Sequence, residues 1–584
     1  MHFTRTTRLT RTKGTGRTGI ARTDSTHLLT AGTAAALATA VLLSTGSTSF
    51  AAGAAGAELP PVRFTLPVPS GAPEVPVPAK PRTDFDRDGK NDFLYRYVDG
   101  RLTVLPGDGG PERPAEFDQQ IYEYVKEVIP IGDVRGDSRP EVLYLQERML
   151  VLETAGAHDS GSRSWAGFDW QLYNKVTSPG DVNGDGRPDL VARTHSGDLY
   201  FYEGTGFDAG QPFKPRVKVG GGWQAYDQIV GTNDLDGDGL GDLVARDVTG
   251  ALWYYKGSGG TAQPFLPRVA AGTGWNAYNQ LVAVDDLTGD GRADLAGRTL
   301  TGEVLLHPSR GGGSFATAVP LGAGTRYLRA FAGQGGVPDH GKHGLAAVTP
   351  NSDGAVDVFR ALADGTFLPA RQEPTNIGPE EGIGFLFAAD GLDGRDRPNL
   401  ILDNGSLWFH EGARALTDRA TGAPLPSTGL WQGPGDLTGD GEADLVQVLS
   451  GTLFLHAQEG MSYRKITIGK GWEVYDSVVG SGDFTGDGRA DMVARDRTGN
   501  LYLYTGTGTA AAPFSPRVLI GRGWQVYDRL AAPGDLTGDG RADLVARDPE
   551  GGLFRYTATG QGGSKVFAPR VKIGDGWNAY QQLG

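Results

Sequence analysis

The sequence predicts an all-β fold of about ten four-stranded repeats, each of roughly 50 residues. Three observations predict it. An acidic nine-residue pattern, Asp-x-(Asp/Asn/Thr)-x-Asp-Gly-x-x-Asp, occurs seven times along 584 residues. Between its copies run short β-branched and aromatic segments bounded by Gly, Pro or Asp. No such run has the length and 3.6-residue periodicity of a helix. Four short strands per 50-residue period is the arithmetic of a β-propeller blade, in one ring or two smaller ones.

The loop comes first in each unit. Its positions 1, 3, 5, 7 and 9 are Asp84, Asp86, Asp88, Lys90 and Asp92 in the first copy. They are Asp181, Asn183, Asp185, Arg187 and Asp189 in the second, and Asp234, Asp236, Asp238, Leu240 and Asp242 in the third. The fourth has Asp286, Thr288, Asp290, Arg292 and Asp294, and the fifth Asp436, Thr438, Asp440, Glu442 and Asp444. Asp483, Thr485, Asp487, Arg489 and Asp491 follow, then Asp535, Thr537, Asp539, Arg541 and Asp543. Alternate side-chain oxygens on one side of a tight turn, a backbone carbonyl at position 7 and a carboxylate at position 9 make the oxygen shell that calcium requires. Position 6 is Gly in all seven loops, as a reversal with positive φ demands. The expectation is up to seven calcium ions, held more weakly where Thr replaces a carboxylate. An EF-hand is disfavoured, because position 12 is Tyr95, Ala192, Ala245, Gly297, Gln447, Ala494 or Ala546 instead of Glu.

The strands follow the loop. In the unit from Tyr475, Met492–Arg495, Leu501–Tyr504 and Arg517–Ile520 read as strands, and Trp524–Tyr527 opens a fourth into the next loop. Degenerate loops near Asp133, Gly336 and Gly391 have lost ligands and mark units without metal. The Arg135-Gly136-Asp137 tripeptide falls in one of them and reads as a repeat loop. The first unit begins at Asp84 without a preceding Trp-x-x-Tyr, and the last ends with one at Trp577. Circular closure then predicts that the C-terminal strand completes the first sheet, and any seam falls around 310–435.

Residues 1–51 read as a secretory signal: a basic start, an apolar run from Leu28 to Leu43 and a small-x-small site at Ser49–Ala51. Residues 52–82 are rich in Pro and Ala, a semi-rigid spacer or an irregular strand along a domain edge. The repeat region is 83–584. The expected location is extracellular, with no membrane span in the mature chain. A net charge of −14 argues against nucleic acid and anionic membranes. The absence of cysteine excludes disulfides, thiol catalysis and Cys-ligated metals. Calcium would take over the cross-linking role.

The Asp-x-x-Gly-Asp-Gly cores followed by apolar strands, as in 535–547, resemble the FG-GAP and VCBS repeats of integrin α-chain propellers and many secreted bacterial proteins. The resemblance covers about 83–584 and implies a propeller with calcium in surface loops. A second likeness, to tachylectin-type propellers that bind amino sugars, rests on Ile573–Trp577 and its counterparts. It bears on the Trp-x-x-Tyr pairs Trp170/Tyr173, Trp223/Tyr226, Trp275/Tyr278, Trp472/Tyr475, Trp524/Tyr527 and Trp577/Tyr580. These are either shelves on which sugar rings stack, helped by Asp227, Asn279, Asp476 and Asp528, or wedges packed between blades. No nucleophile elbow, HExxH, Walker or dinucleotide motif stands out, and the nine His are scattered. The expected function is an extracellular binding module for glycan or cell-surface polymer. The alternatives are a polysaccharide-acting enzyme and an integrin-like protein-adhesion scaffold.

Overall fold

The computed structural model describes residues 59–67, 80–115, 125–146, 148–154, 163–207, 210–338, 343–349, 355–374, 386–390, 398–403, 406–409, 414–460 and 462–584. The expected signal sequence and the degenerate loop at Gly391 lie outside these residues. Among the described residues every regular element is a strand or a short 3-10 turn. They form ten antiparallel sheets, nine of four strands and one of five.

Shared core clusters and strand contacts join the described sheets into two closed sets of five. In the first ring the strands Tyr173–Gly180, Tyr226–Asn233 and Tyr278–Ala283 pack side by side at the centre. Outer strands such as Val217–Gly220 face solvent. The hydrophobic core lies between sheets. Val191, Leu199 and Phe201 of one sheet pack against Trp223, Tyr226, Leu243 and Ala245 of the next.

Closure differs from the sequence expectation. The strand Leu328–Phe331, not the C-terminal one, pairs with Phe93–Tyr97 and completes the first sheet. The C-terminal strand Gln582–Leu583 pairs with Gly344–Val348 and closes the second ring. The reason lies at Gly324–Tyr327. Gly324 takes φ 79° and leads into a 3-10 turn like those of the Trp-x-x-Tyr segments, but Thr325 stands where the tryptophan would be. The repeat geometry survives without its visible signature. The chain passes from one ring to the other between Phe331 and Gly344, inside the expected seam.

One further expectation changes in part. The first three residues of Trp-x-x-Tyr form a 3-10 turn, and the Tyr opens the strand at Tyr173, Tyr226, Tyr278 and Tyr475. In the Trp524 unit, Gly523 at φ 81° reverses the chain into Trp524–Val526 and the strand begins only at Arg529–Gly534. Of the two readings of residues 52–82, the edge strand holds in part. Arg63–Phe64 adds a fifth strand beside Val319–Ala323, and Val62 and Phe64 join a core cluster.

Candidate functional site

The acidic loops fold around their own first carboxylate. Asp181 Oδ1 accepts the N–H of Gly184 at 2.7 Å and of Asp185 at 3.1 Å, and Oδ2 that of Gly186 at 2.6 Å. Asp234, Asp286, Asp436, Asp483 and Asp535 each take the corresponding bonds from positions 4 and 6. Position 6 has positive φ in every loop, from 82° at Gly186 to 93° at Gly291. Position 4 does too, at Arg87, Gly184, Gly237, Gly289, Gly439, Gly486 and Gly538, which the sequence reading did not single out. The N–H of position 7 donates to the position-5 carboxylate, as Arg187 does to Asp185 at 3.0 Å.

Position 9 anchors the loop to the sheet. Asp189 is fully buried; its Oδ2 accepts the Val182 N–H at 2.9 Å and its Oδ1 the Gly204 N–H at 2.8 Å. Asp92, Asp242, Asp294, Asp444, Asp491 and Asp543 repeat this double acceptance. Burial pushes Asp189 and Asp242 up to about 8, Asp294 to about 7 and Asp92 to about 6, with neighbouring loop carboxylates adding to the rise. Asp444, Asp491 and Asp543 are also driven well above the usual range by burial.

Three carboxylate oxygens lie within 4.8 Å of one another at Asp84, Asp86 and Asp88, and again at Asp234, Asp236 and Asp242. Desolvated like charges at this spacing are unfavourable alone and fit a hard divalent cation with oxygen ligands. The residues therefore suit the implied metal. Loops are also tied around the ring: the Asp181 carbonyl accepts the Gly241 N–H at 2.6 Å, Asp234 that of Ala293 at 2.7 Å, and Asp483 that of Ala542 at 2.9 Å.

The degenerate loop at Asp133 is a natural control. Asp133 keeps its bonds from Gly136 and Ser138, and Glu141 takes the place of the position-9 aspartate, accepting the Val134 N–H at 2.7 Å. Arg135, at the position of a metal ligand, lies 3.7 Å from Glu141. A guanidinium stands where the other loops have a side-chain oxygen.

All six tryptophans of the Trp-x-x-Tyr pairs are buried, at 6–8% exposure. Trp223 packs on Tyr226 and on Tyr255 of the next strand pair, and the others pack similarly. They are wedges between sheets, and their rings are closed to a stacking ligand. The tyrosines differ: the hydroxyls of Tyr226, Tyr475 and Tyr527 accept bonds from Arg268, Arg517 and Arg570 at the outer junctions, while Tyr278 bonds His307. Tyr580 is half-buried.

The sequence reading missed a set of arginines. Arg193, Arg246, Arg298, Arg495 and Arg547 each stand four residues after a position-9 aspartate and are buried. Arg246 donates through Nη1 to the Trp275 carbonyl at 2.9 Å and through Nη2 to Asp227 at 2.7 Å. Arg495 and Arg547 repeat the clamp with Asp476 and Asp528. The signal was legible as the recurrent Asp-(Leu/Met)-(Val/Ala)-(Ala/Gly)-Arg, with Asp or Asn after Tyr173, Tyr226, Tyr278, Tyr475 and Tyr527.

The turn-bearing face of the first ring lies on the loop-bearing face of the second. Arg541, at position 7 of its loop, donates to Asp227 at 2.5 Å. Gln228 reaches the Asp539 carbonyl at 3.4 Å, and Asn279 bonds the Thr537 carbonyl. Burial opposes the charge on Asp227, but Arg246 and Arg541 outweigh it and hold this carboxyl below its usual range.

The model of the FG-GAP-like repeat matches residues 181–245, 234–297 and 483–546. No curated protein matches the chain. Among solved structures, a chain in the crystal structure of BBS1N in complex with ARL6DN, soaked with lead, is similar at 9% identity, with a TM-score of 0.22, over 64% of this chain and 90% of that one. The first two repeat matches lie in the first ring and the third in the second, so this all-β, propeller-type chain carries FG-GAP-like repeats in both of its rings.

Proposed function

We propose that this chain is a secreted, calcium-loaded binding module whose ligand is an extracellular glycan or cell-surface polymer. Calcium holds the loops and, through the bonds that run from loop to loop, the spacing of the sheets. The observation that carries the binding reading is a repeated amphipathic shelf at the outer junctions. Arg216 lies over Tyr200 at 4.2 Å, Arg268 over Trp253 at 4.0 Å, Arg517 over Tyr502 at 4.4 Å and Arg570 over Phe554 at 4.5 Å. The arginines are exposed and the rings half-buried. Each shelf offers guanidinium donors, a tyrosine hydroxyl and apolar area, the combination that holds a polyhydroxylated ring. Repetition around a rigid scaffold suits a polymer, because linked weak contacts add as avidity.

A glycan array probed in calcium and in EDTA tests this reading. Binding to a defined sugar in calcium, weakened by Arg268→Ala and Trp253→Ala, supports it. Silence of a folded, calcium-loaded sample overturns the glycan assignment.

A further inference from the structure

The two rings present the same two kinds of face, and among the described residues only one of each is used inside the chain. The turn-bearing face of the first ring is covered: Asn174, Asp227 and Asn279 are buried under the loops at Asp483 and Asp535. The turn-bearing face of the second ring carries the counterparts Asp476 and Asp528, each one residue after its Tyr and clamped to its own arginine. There the side chains stay 38% and 34% exposed, against 4% for Asp227. The loop faces show the same contrast. In the second ring Thr537 and Asp539 are buried, whereas in the first Asp86, Asp88, Asp185 and Asp238 are exposed.

We infer that the open turn face of the second ring docks onto the open loop face of the first ring of a second copy of this chain, head to tail. The internal junction is the template. Its charged contact is a position-7 arginine on a position-after-Tyr aspartate, Arg541 on Asp227. The free loop face offers exposed position-7 cations at Lys90 and Arg187, and the free turn face offers the two half-exposed aspartates. The surfaces are complementary in charge and related by repetition to a pair already docked. Such a contact is heterologous, so it leaves one open face of each kind and propagates. The inference goes beyond the binding reading and does not depend on the glycan. It rests on calcium only in that bound cations relieve the repulsion between acidic loops and the opposing aspartates.

The test is sedimentation velocity of the purified chain over a concentration series in calcium. One variant, Asp476→Arg with Asp528→Arg, caps the turn face. Another, Lys90→Glu with Arg187→Glu, caps the loop face without touching a side-chain metal ligand. The wild type is expected to grow with concentration beyond dimers. Each capped variant alone stays monomeric, and their mixture, which keeps one compatible junction, stops at the dimer with roughly twice the monomer mass. A wild type that remains monomeric at the highest concentration in calcium overturns the inference. So does association unchanged in both capped variants, or a mixture that stays monomeric while the wild type associates. If the turn-face variant does not fold, the loop-face variant decides alone, since its altered side chains are exposed. Glycan binding that persists in all of these proteins separates the shelf reading from this one.

Discussion

Asp227 and Asp528 occupy the same place in their repeats and make the same clamp, yet their energetic settings are opposite. Asp227 sits between Arg246 and Arg541 with almost no access to water. Asp528 bonds Arg547 at 2.6 Å on an open face. The local sequence and the local bonds are alike; only the neighbouring ring differs. Burial makes an ion pair costly to break, whereas solvent screens an exposed one.

The largest expected effect removes the difference altogether. Chelation should collapse the stability of both rings cooperatively, because sites filled at 100 times their dissociation constants contribute about 2.7 kcal/mol each. Even several such sites rival an ordinary domain stability of about 5–15 kcal/mol. A thermal melt in EDTA that overlays the one in calcium would break this account.

Next in size is the contrast itself. Asp227→Ala leaves buried guanidinium charge uncompensated and is expected to cost about 3–5 kcal/mol. Asp528→Ala is expected to cost less, because the Asp528 carboxylate is a third exposed and the buried Arg547 keeps the Trp577 and Tyr580 carbonyls as acceptors. Denaturant midpoints of the two variants measure both; equal losses would mean that the inter-ring junction does not form in solution.

The position-9 carboxylates give a pH signature that separates free from loaded loops. Asp189 and Asp242 are raised from an ordinary 3.8 to about 8, chiefly by burial. A carboxyl raised by folding is comfortable while protonated and opposes folding once ionised. In EDTA the melting temperature should therefore fall as pH rises from about 4 to about 8. Calcium, which needs the ionised form, should reverse that slope over the same window. Parallel slopes in the two conditions would remove these aspartates from the metal sites.

The smallest change sharpens the comparison between loops. Arg135→Asp restores the third ligand to the degenerate loop at Asp133 and is expected to add one calcium ion per chain, read by titration calorimetry. An unchanged stoichiometry would show that Glu141, one methylene longer than the usual aspartate, cannot close the shell.

Much of the loop was legible before any coordinates. Asp at positions 1, 5 and 9 and Gly at position 6 each state a local requirement: an acceptor for backbone N–H groups, or a backbone with positive φ. Such requirements concern a few consecutive residues, so a motif can display them. The aromatic pairs were legible as repeats but not as to role. Burial, which separates a shelf from a wedge, is contributed by the next sheet: Tyr255 closes over Trp223, and His307 over Trp275. The clamp arginines were overlooked because an Arg ending an apolar strand reads as a solvent-facing terminus. Their acceptors are carbonyls of the following repeat, about 30 residues on, as Trp223 is from Arg193.

By itself the sequence determined the repeat, its strands, the chemistry of the acidic loops and the all-β class, because strand alternation and turn chemistry act over a few residues. Only the tertiary structure decided where the rings close, since the closing turn at Thr325 lacks its tryptophan and is recognised by what it pairs with. The tertiary structure also decided which face is buried. Asp227 and Asp528 carry the same local instructions, and exposure is a property of what packs against a residue, which no nine-residue motif encodes.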